Sequence, residues 1–270
     1  MTPLYAIIMG IVQGVTEYLP VSSTGHLAIV NLIFNKNANG SDPFIIWLHG
    51  ATLLALLVYF WRDIFDLIRC WAPAHQHDMA PQRRIFVFVV LATFVTGVMG
   101  LIYKKLDLPD GSFLALGLGY IVTTVALIAA ERLGSRVRHR SLDHLGVGRS
   151  LGVGLAQGLG IIASISRSGS TIAAGLFSGL DREHATRFAF LAGIPAIAAA
   201  FLLDLVGLGK LPADWNWTAA IISFILAAVV AYFSIAWLLA LVKRVKLYGF
   251  AAYTGFLAVV LLVLALVVKR

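Results

Sequence analysis

The stretch Gly10-Ile-Val-Gln-Gly-Val-Thr-Glu-Tyr-Leu-Pro-Val-Ser-Ser-Thr-Gly-His26 interrupts an apolar segment with polar side chains and glycine. Polar backbone at membrane depth is tolerated only where protein or a water-filled cavity surrounds it. The segment from about 2 to 34 is therefore predicted to be a re-entrant helical hairpin, which enters a membrane and returns to the same side. We expect Pro20 to end its first helix and the second helix to begin at about His26.

The same pattern occurs a second time along the chain. The hexapeptide Gly10-Ile-Val-Gln-Gly-Val aligns without a gap on Gly154-Leu-Ala-Gln-Gly-Leu, and the register continues into the polar turn. In that register Ser22, Thr24 and Gly25 align with Ser166, Ser168 and Gly169. The segment from about 150 to 180 is therefore predicted to be a second re-entrant hairpin.

Composition indicates a polytopic membrane protein, most of which needs no water-facing side. Of 270 residues, 60% are hydrophobic and 13% are charged, and the mean hydropathy is +0.89. Soluble domains carry about a quarter charged residues. Apolar blocks of roughly 20 residues, enough for one helical crossing, recur along this chain. The predicted crossings are about 44–61, 86–103, 112–130, 184–205, 217–242 and 250–268.

The predicted fold class is an all-α polytopic membrane protein with six transmembrane helices and two re-entrant hairpins. Residues 1–270 form a single integral-membrane domain in this prediction, and its halves, 1–143 and 144–270, each hold one hairpin and three crossings. Because three is odd, the second half enters the membrane upside down. That is the inverted-repeat plan, in which broken helices meet near the bilayer midplane and form a binding site.

Basic residues assign the two sides of the membrane. Of the 21 Lys and Arg, six lie on one side of the predicted topology, Arg167 lies inside a hairpin, and the other fourteen lie on the opposite side. The six are Lys36, Lys104, Lys105, Lys210, Lys269 and Arg270. The more basic side is cytoplasmic by the positive-inside rule, so the first hairpin enters from outside. This loop placement accounts for the net charge of +8, and no nucleic acid is expected as a partner.

A carboxylate in the first hairpin is the leading functional candidate. A charge inside a membrane is costly, so an ionisable residue at the position of Glu17 indicates a functional site. Gln13 lies four residues earlier, on the same helix face. Helix capping would explain Ser22 or Ser23, but it leaves the carboxylate and the imidazole without a role. The candidates in this hairpin are Gln13, Glu17, Ser22, Ser23, Thr24, Gly25 and His26.

The second hairpin surrounds one arginine with hydroxyls. An arginine at membrane depth needs an anionic partner, either Glu17 or a ligand phosphate. Hydroxyl-rich turns at helix N-termini bind phosphate because unpaired backbone N–H groups and the positive end of the helix dipole converge there. A Glu17–Arg167 pair that only holds the two halves together is the alternative. The candidates here are Ser166, Arg167, Ser168, Gly169, Ser170 and Thr171.

These motifs resemble a known family, the bacterial undecaprenyl-pyrophosphate phosphatases of the bacitracin-resistance type, over nearly the whole chain. The residues from Gln13 to His26 fit that family's (E/Q)xxxE and PVSSTGH patterns, and Ser-Arg-Ser-Gly at 166–169 fits its SRSG pattern. The resemblance implies a divalent cation, Mg²⁺ or Ca²⁺, at Gln13 and Glu17. It also implies catalytic roles for Ser23 and His26 and a pyrophosphate contact for Arg167.

The chain departs from the family pattern at three places. Gln13 stands where many members have Glu, which leaves one carboxylate for the metal. Ala163 and Ser164 stand where Pro-Gly usually begins the second motif, and His49 stands where Gln is expected. A paralogue with altered substrate or activity is the corresponding alternative.

The sequence therefore predicts a phosphatase that removes the terminal phosphate of a polyprenyl diphosphate, with water as the acceptor. Ser23 activated by His26, or His26 itself, is the expected nucleophile. The resemblance implies the bacterial inner membrane and a site facing the periplasm. The rival hypothesis is a transporter or flippase for an anionic lipid, because inverted repeats with broken helices are typical of transporters. The sequence leaves an oligomer open.

Overall fold

The polar turn after Thr16 divides the first apolar segment into two short helices, α1 (Pro3–Thr16) and α2 (Ser23–Ile33). The helix α1 ends four residues before Pro20. Proline lacks the N–H that would bond the carbonyl of Thr16, and its ring collides with that carbonyl, so Thr16 is the last helical residue. The helix α2 begins at Ser23, three residues earlier than expected, because Ser22 caps it: the Ser22 Oγ accepts from the Gly25 N–H at 3.4 Å.

The computed structural model describes residues 2–34, 42–72, 79–106, 112–134, 141–162, 164–207, 211 and 215–267. The described part of the chain contains helices and no strand, which confirms the all-α class. The second hairpin repeats the first, with α7 (Val147–Leu159) and α8 (Arg167–Phe177), and Ser166 caps α8 by accepting from the Gly169 N–H at 3.0 Å. Ala163 lies outside the described residues.

Within the described residues, five helices are long and apolar enough to cross a membrane. Each contains or largely matches one of the predicted crossings, so the chain is a multi-pass membrane protein. A short 3₁₀ helix, Leu142–His144, precedes the second hairpin. The five helices are α5 (Ala80–Leu106), α6 (Phe113–Leu133), α9 (Arg182–Gly207), α10 (Trp217–Val242) and α11 (Tyr248–Val267).

The first predicted crossing, about 44–61, corresponds to one helix that is too short to count as a span by itself. The helix α3 (Pro43–Tyr59) has 17 residues, and the chain bends by 67° before α4 (Trp61–Arg69). A sixth crossing exists only if this bent pair is counted as one span. Every residue of α4 is at least partly exposed. Its apolar and charged residues alternate with helical period, which is typical of a helix at the membrane surface.

Small residues let the first helix of each hairpin pack closely against a long helix. At Gly10, a side-chain carbon would lie 2.6 Å from the Ser223 carbonyl oxygen of α10, and at Gly154 it would collide with the Ala92 carbonyl oxygen of α5. The pair α1 with α10 thus resembles the pair α7 with α5, and α6 packs along α11. Such close backbone approach is typical of helix contacts in membranes.

Candidate active site

Glu17 lies one residue beyond α1 and accepts hydrogen bonds on both carboxylate oxygens. Its Oε2 accepts from Gln13 Nε2 at 2.9 Å and from Ser23 Oγ at 2.7 Å. Its Oε1 accepts from the Arg167 guanidinium. The residue is 5% exposed. The structure therefore compensates this buried charge with one cation and two neutral donors, as a buried carboxylate requires.

The two hairpins meet at this carboxylate. Arg167 is the first residue of α8, and its side chain is 23% exposed, so the guanidinium both contacts Glu17 and reaches open space. Beside it, Ser168 Oγ donates to the Leu19 carbonyl of the first hairpin at 2.8 Å. From a third direction, Thr123 Oγ1 of α6 accepts from the Ser166 N–H at 3.0 Å. Residues far apart in sequence thus form one polar cluster.

A cavity of about 210 Å³ opens at this cluster. Six of the predicted site residues besides Glu17 line it: Ser22, Ser23, Thr24, Ser166, Arg167 and Ser168. The remaining wall is largely apolar and comes from α3, α9 and the turn of the second hairpin. Its apolar side chains are Ile46, Ile161, Ile165, Ile197, Ala200 and Phe201. The cavity therefore combines anion-binding groups with a surface suited to hydrocarbon.

Other predicted site residues do not line this cavity. The Gly25 N–H donates to the Ser22 side chain and the Gly169 N–H to the Ser166 side chain, so both amides are occupied by the serine caps of their helices. The Ser170 N–H donates to the Ser166 carbonyl within the first turn of α8. Thr171 Oγ1 donates to the Arg167 carbonyl at 2.6 Å and faces a smaller void beside Glu17. Gln13 contacts the cluster through its hydrogen bond to Glu17.

His26 does not meet Ser23 in the way the sequence suggested. The Ser23 hydroxyl donates to Glu17, whereas His26 Nδ1 lies 2.7 Å from the Ser22 carbonyl oxygen. His26 Nε2 lies 2.7 Å from the Tyr253 hydroxyl of α11. The imidazole is thus held by α11 and by its own turn, and it does not line the cavity. The structure pairs the serine with the carboxylate instead.

Two further titratable side chains line the cavity. His49 of α3 places its Nδ1 2.9 Å from the Ile45 carbonyl oxygen and its Nε2 3.8 Å from Glu17 Oε2. Asp204 of α9 lines the same cavity, and sequence reasoning missed it. Its position near the end of an apolar crossing made it look like an interfacial residue. An acidic residue within a predicted span was the signal that could have identified it.

Gln13 and Glu17 do not fit a divalent cation as they are arranged. The Gln13 Oε1 is buried and has no hydrogen-bond partner among the described residues, so it is one available oxygen ligand. Glu17, however, accepts from Arg167, Gln13 and Ser23. Within the described ranges, no three His, Cys, Asp or Glu side chains cluster closely enough to hold a metal. Mg²⁺ and Ca²⁺ prefer about six or more oxygens.

The fold and this cluster define a class: a multi-pass helical membrane protein with a buried carboxylate–arginine pair at the junction of two broken helix pairs. The chain belongs to the bacitracin resistance protein BacA family, whose model matches residues 6–260. The family resemblance stated from the motifs is therefore confirmed.

Named relatives cover nearly the whole chain. An undecaprenyl-diphosphatase from Treponema denticola is 40% identical over 261 residues, which is 94% of each chain. One from Mycobacterium sp. (strain KMS) is 37% identical over 273 residues, covering 98% of this chain and 97% of the relative. Undecaprenyl-diphosphatase 2 from Halalkalibacterium halodurans is 37% identical over 268 residues, covering 96% of this chain and 95% of its own.

Proposed function

We propose that the protein is a membrane phosphatase that hydrolyses undecaprenyl diphosphate, or a similar polyprenyl diphosphate, to the monophosphate and inorganic phosphate. The observation that carries the proposal is the cavity that places Arg167, Ser23 and two capped helix N-termini beside an apolar wall. A diphosphate head needs the first set of groups, and a prenyl tail needs the second. The named relatives support the same activity.

Arg167 and the helix N-termini would bind the diphosphate and stabilise the charge on the transferring phosphoryl group. Electrostatic stabilisation and positioning dominate phosphoryl transfer. As the diphosphate draws the guanidinium away from Glu17, the carboxylate loses its counter-charge. Glu17 then accepts a proton more readily, and Ser23 is the donor already in contact with it at 2.7 Å.

The chemical step breaks the bond between the bridging oxygen and the terminal phosphorus. If the Ser23 oxygen attacks that phosphorus, its proton passes to Glu17 and the polyprenyl monophosphate leaves. Water then attacks the phosphoserine, releasing inorganic phosphate and restoring the hydroxyl. Attack by His26 remains the alternative, and it requires the imidazole to turn away from Tyr253.

The finer topology belongs to the same proposal. Six crossings, counting α3 with α4, and two re-entrant hairpins in an inverted repeat would set the site in the bacterial inner membrane, open to the periplasm. Three observations support the repeat: the ungapped register of Gly10 with Gly154, the equivalent serine caps, and the matched helix pairs. The excess of basic residues on one side supports the sidedness.

The proposal is tested by phosphate release from a long-chain polyprenyl diphosphate, using purified protein with and without a chelator. Steady release of one phosphate per substrate by the wild type, and none by a Glu17→Gln control purified in parallel, is expected. Absence of release from the wild type contradicts the proposal. Transbilayer movement of the lipid in proteoliposomes without phosphate release would instead support the transporter.

A further inference from the structure

Three groups contact the His26 ring: the Tyr253 hydroxyl, the Tyr120 hydroxyl and the Ser22 carbonyl of its own turn. Its Nε2 lies 2.7 Å from the Tyr253 hydroxyl, and the two rings stack with centroids 5.6 Å apart and an interplanar angle of 18°. The Tyr120 hydroxyl of α6 lies 3.0 Å from His26 Nδ1 and 3.3 Å from the Ser22 carbonyl oxygen. Tyr120 is fully buried.

The positions of the protons follow from the acceptors. A carbonyl oxygen only accepts hydrogen bonds, so His26 Nδ1 carries the proton that bonds the Ser22 carbonyl at 2.7 Å. The Tyr120 hydroxyl donates to the same carbonyl. His26 Nε2 is therefore unprotonated in the neutral ring, and it accepts the proton of the Tyr253 hydroxyl. Which ring nitrogen is protonated is set by the partner of the other nitrogen, as is common in functional histidines.

The turn is built to make these contacts. Ser22 has a φ of 64°, a left-handed conformation that non-glycine residues rarely adopt, and it turns the Ser22 carbonyl towards His26 and Tyr120. Gly25 lies under the Tyr120 ring, where a side-chain carbon would be 2.5 Å from the Tyr120 hydroxyl oxygen. Any larger residue at position 25 would push Tyr120 away. Backbone strain at Ser22 is thus associated with the orientation of one imidazole.

We propose that Tyr253 is a positioning residue for His26: it donates to Nε2, fixes the neutral tautomer, and so makes α11 part of the active site. Tyr120 supports it by bonding the Ser22 carbonyl. This inference rests on the proposed function for its kinetic consequence, but the contact itself does not. Tyr253 is 43% exposed, so its ring is not needed to fill the core.

The test compares Tyr253→Phe with Tyr248→Phe in the full-length purified protein. Tyr248 lies on the same helix, and its ring makes a cation–π contact with Lys246, which a phenylalanine ring would preserve. Two readouts are used: steady-state kinetics with the polyprenyl diphosphate, and the rate at which diethyl pyrocarbonate modifies each histidine, followed by peptide mass spectrometry. That reagent attacks the unprotonated ring nitrogen.

Removal of the Tyr253 hydroxyl is expected to leave KM within about twofold and to lower kcat about tenfold. The reason is that the His26 ring holds the Ser22 carbonyl at 2.7 Å, and with it the turn that presents Ser23 to Glu17. Modification of His26 should become several-fold faster. His144 and His184 should keep their modification rates, and an increase at these two residues would reveal partial unfolding of the whole protein. Tyr248→Phe should match the wild type in both readouts.

Two results overturn the inference. An unchanged rate of His26 modification means that Tyr253 does not engage Nε2, and an unchanged kcat despite faster modification means that the contact does not position the imidazole for turnover. If even the wild type releases no phosphate, the proposed function fails, and the modification rates still decide whether the contact exists.

Discussion

The guanidinium of Arg167 joins two roles that the sequence presented as alternatives. It neutralises Glu17 across the two hairpins, and its partly exposed side chain also lines the cavity. We expect Arg167→Lys to fold and to lose activity by about tenfold or more, because an ammonium cannot bind two phosphate oxygens with a planar fork. The measurement is kcat/KM for phosphate release.

Arg187→Lys is the matched control. Arg187 pairs with Asp63 at 2.6 Å, away from the cavity, so its replacement should leave turnover close to that of the wild type. Near-normal turnover in Arg167→Lys would remove Arg167 from phosphate binding and leave only its role as the partner of Glu17.

Glu17 and Gln13 allow a second prediction at the same scale. Glu17→Gln should abolish turnover, because it removes the acceptor of the Ser23 proton and leaves Arg167 without a counter-charge. Gln13→Glu should preserve or raise turnover and make it depend on Mg²⁺ or Ca²⁺, since a second carboxylate adds a hard oxygen ligand. Activity is measured across a chelator series. Turnover by Glu17→Gln with an unchanged chelator response would make Glu17 structural.

Membrane energetics predicted some of these contacts and not others. A carboxylate and an arginine inside apolar hairpins must find partners, so the meeting of Glu17 with Arg167 could be anticipated. The hydrogen-bond partner of Ser23 could not be anticipated, because Glu17 and His26 lie on either side of the same turn and the Ser23 hydroxyl could bond either of them. Which partner Ser23 bonds depends on the left-handed φ of Ser22 and on Tyr253, which holds His26 and lies 227 residues from it in sequence.

At the scale of the element, the turn of the second hairpin contains a strained serine. Ser164 has a φ of 57°, and its buried hydroxyl has no hydrogen-bond partner among the described residues. A left-handed non-glycine residue costs about 1 kcal/mol, and an unpaired buried hydroxyl adds to that cost. Ser164→Gly should therefore raise the apparent melting temperature by roughly 2–4 °C.

Ser170→Gly is the comparison for that variant. Ser170 lies inside α8, where glycine is a poorer helix former than serine, so the melting temperature of Ser170→Gly should fall. A fall in both variants would show that the Ser164 side chain is stabilising. The glycine that the family pattern places here is explained by the same φ.

Element boundaries were predictable where a single residue decides them. Pro20 and the serine caps fix the ends of the hairpin helices, although the prediction misplaced them by three or four residues. Hydropathy placed the end of the apolar block at about residue 61, but it did not predict the 67° bend at Phe60, because an amphipathic α4 could also have continued α3 in a straight line. The bend is associated with tertiary contacts: Phe60 is fully buried against Tyr59 and Phe190.

At the scale of the whole molecule, the mechanism depends on which side of the membrane supplies the substrate. In a Cys70→Ser background, single cysteines at 36 or 104 should react with an impermeant thiol reagent in intact spheroplasts. Cysteines at 84 or 138 should react only after the membrane is opened. Position 84 is used because Arg83 holds the Cys70 carbonyl at 2.7 Å. Positions 36 and 138 lie outside the described residues.

The reverse labelling pattern would place the Ser23 turn on the cytoplasmic side and contradict the proposed sidedness. Labelling of all four positions in sealed cells would contradict the three predicted crossings between positions 36 and 138, because it requires a different number of crossings there. The repeat register in the sequence predicted which segments correspond. It did not predict that α1 packs on α10 and α7 on α5, since helix partners depend on side chains from the other half.

Ser23 and Arg167 occupy equivalent positions in the two copies of the motif, each as the first residue of its helix, and both donate to the same carboxylate. The two donors are made at very different times during synthesis. When the first hairpin emerges from the ribosome, Glu17 has Ser23 but no cation, and Arg167 follows 150 residues later. A nascent chain that stops after its first half therefore carries an uncompensated charge at membrane depth. Synthesis of the second hairpin therefore supplies the counter-charge of Glu17 and completes the polar cluster in the same step.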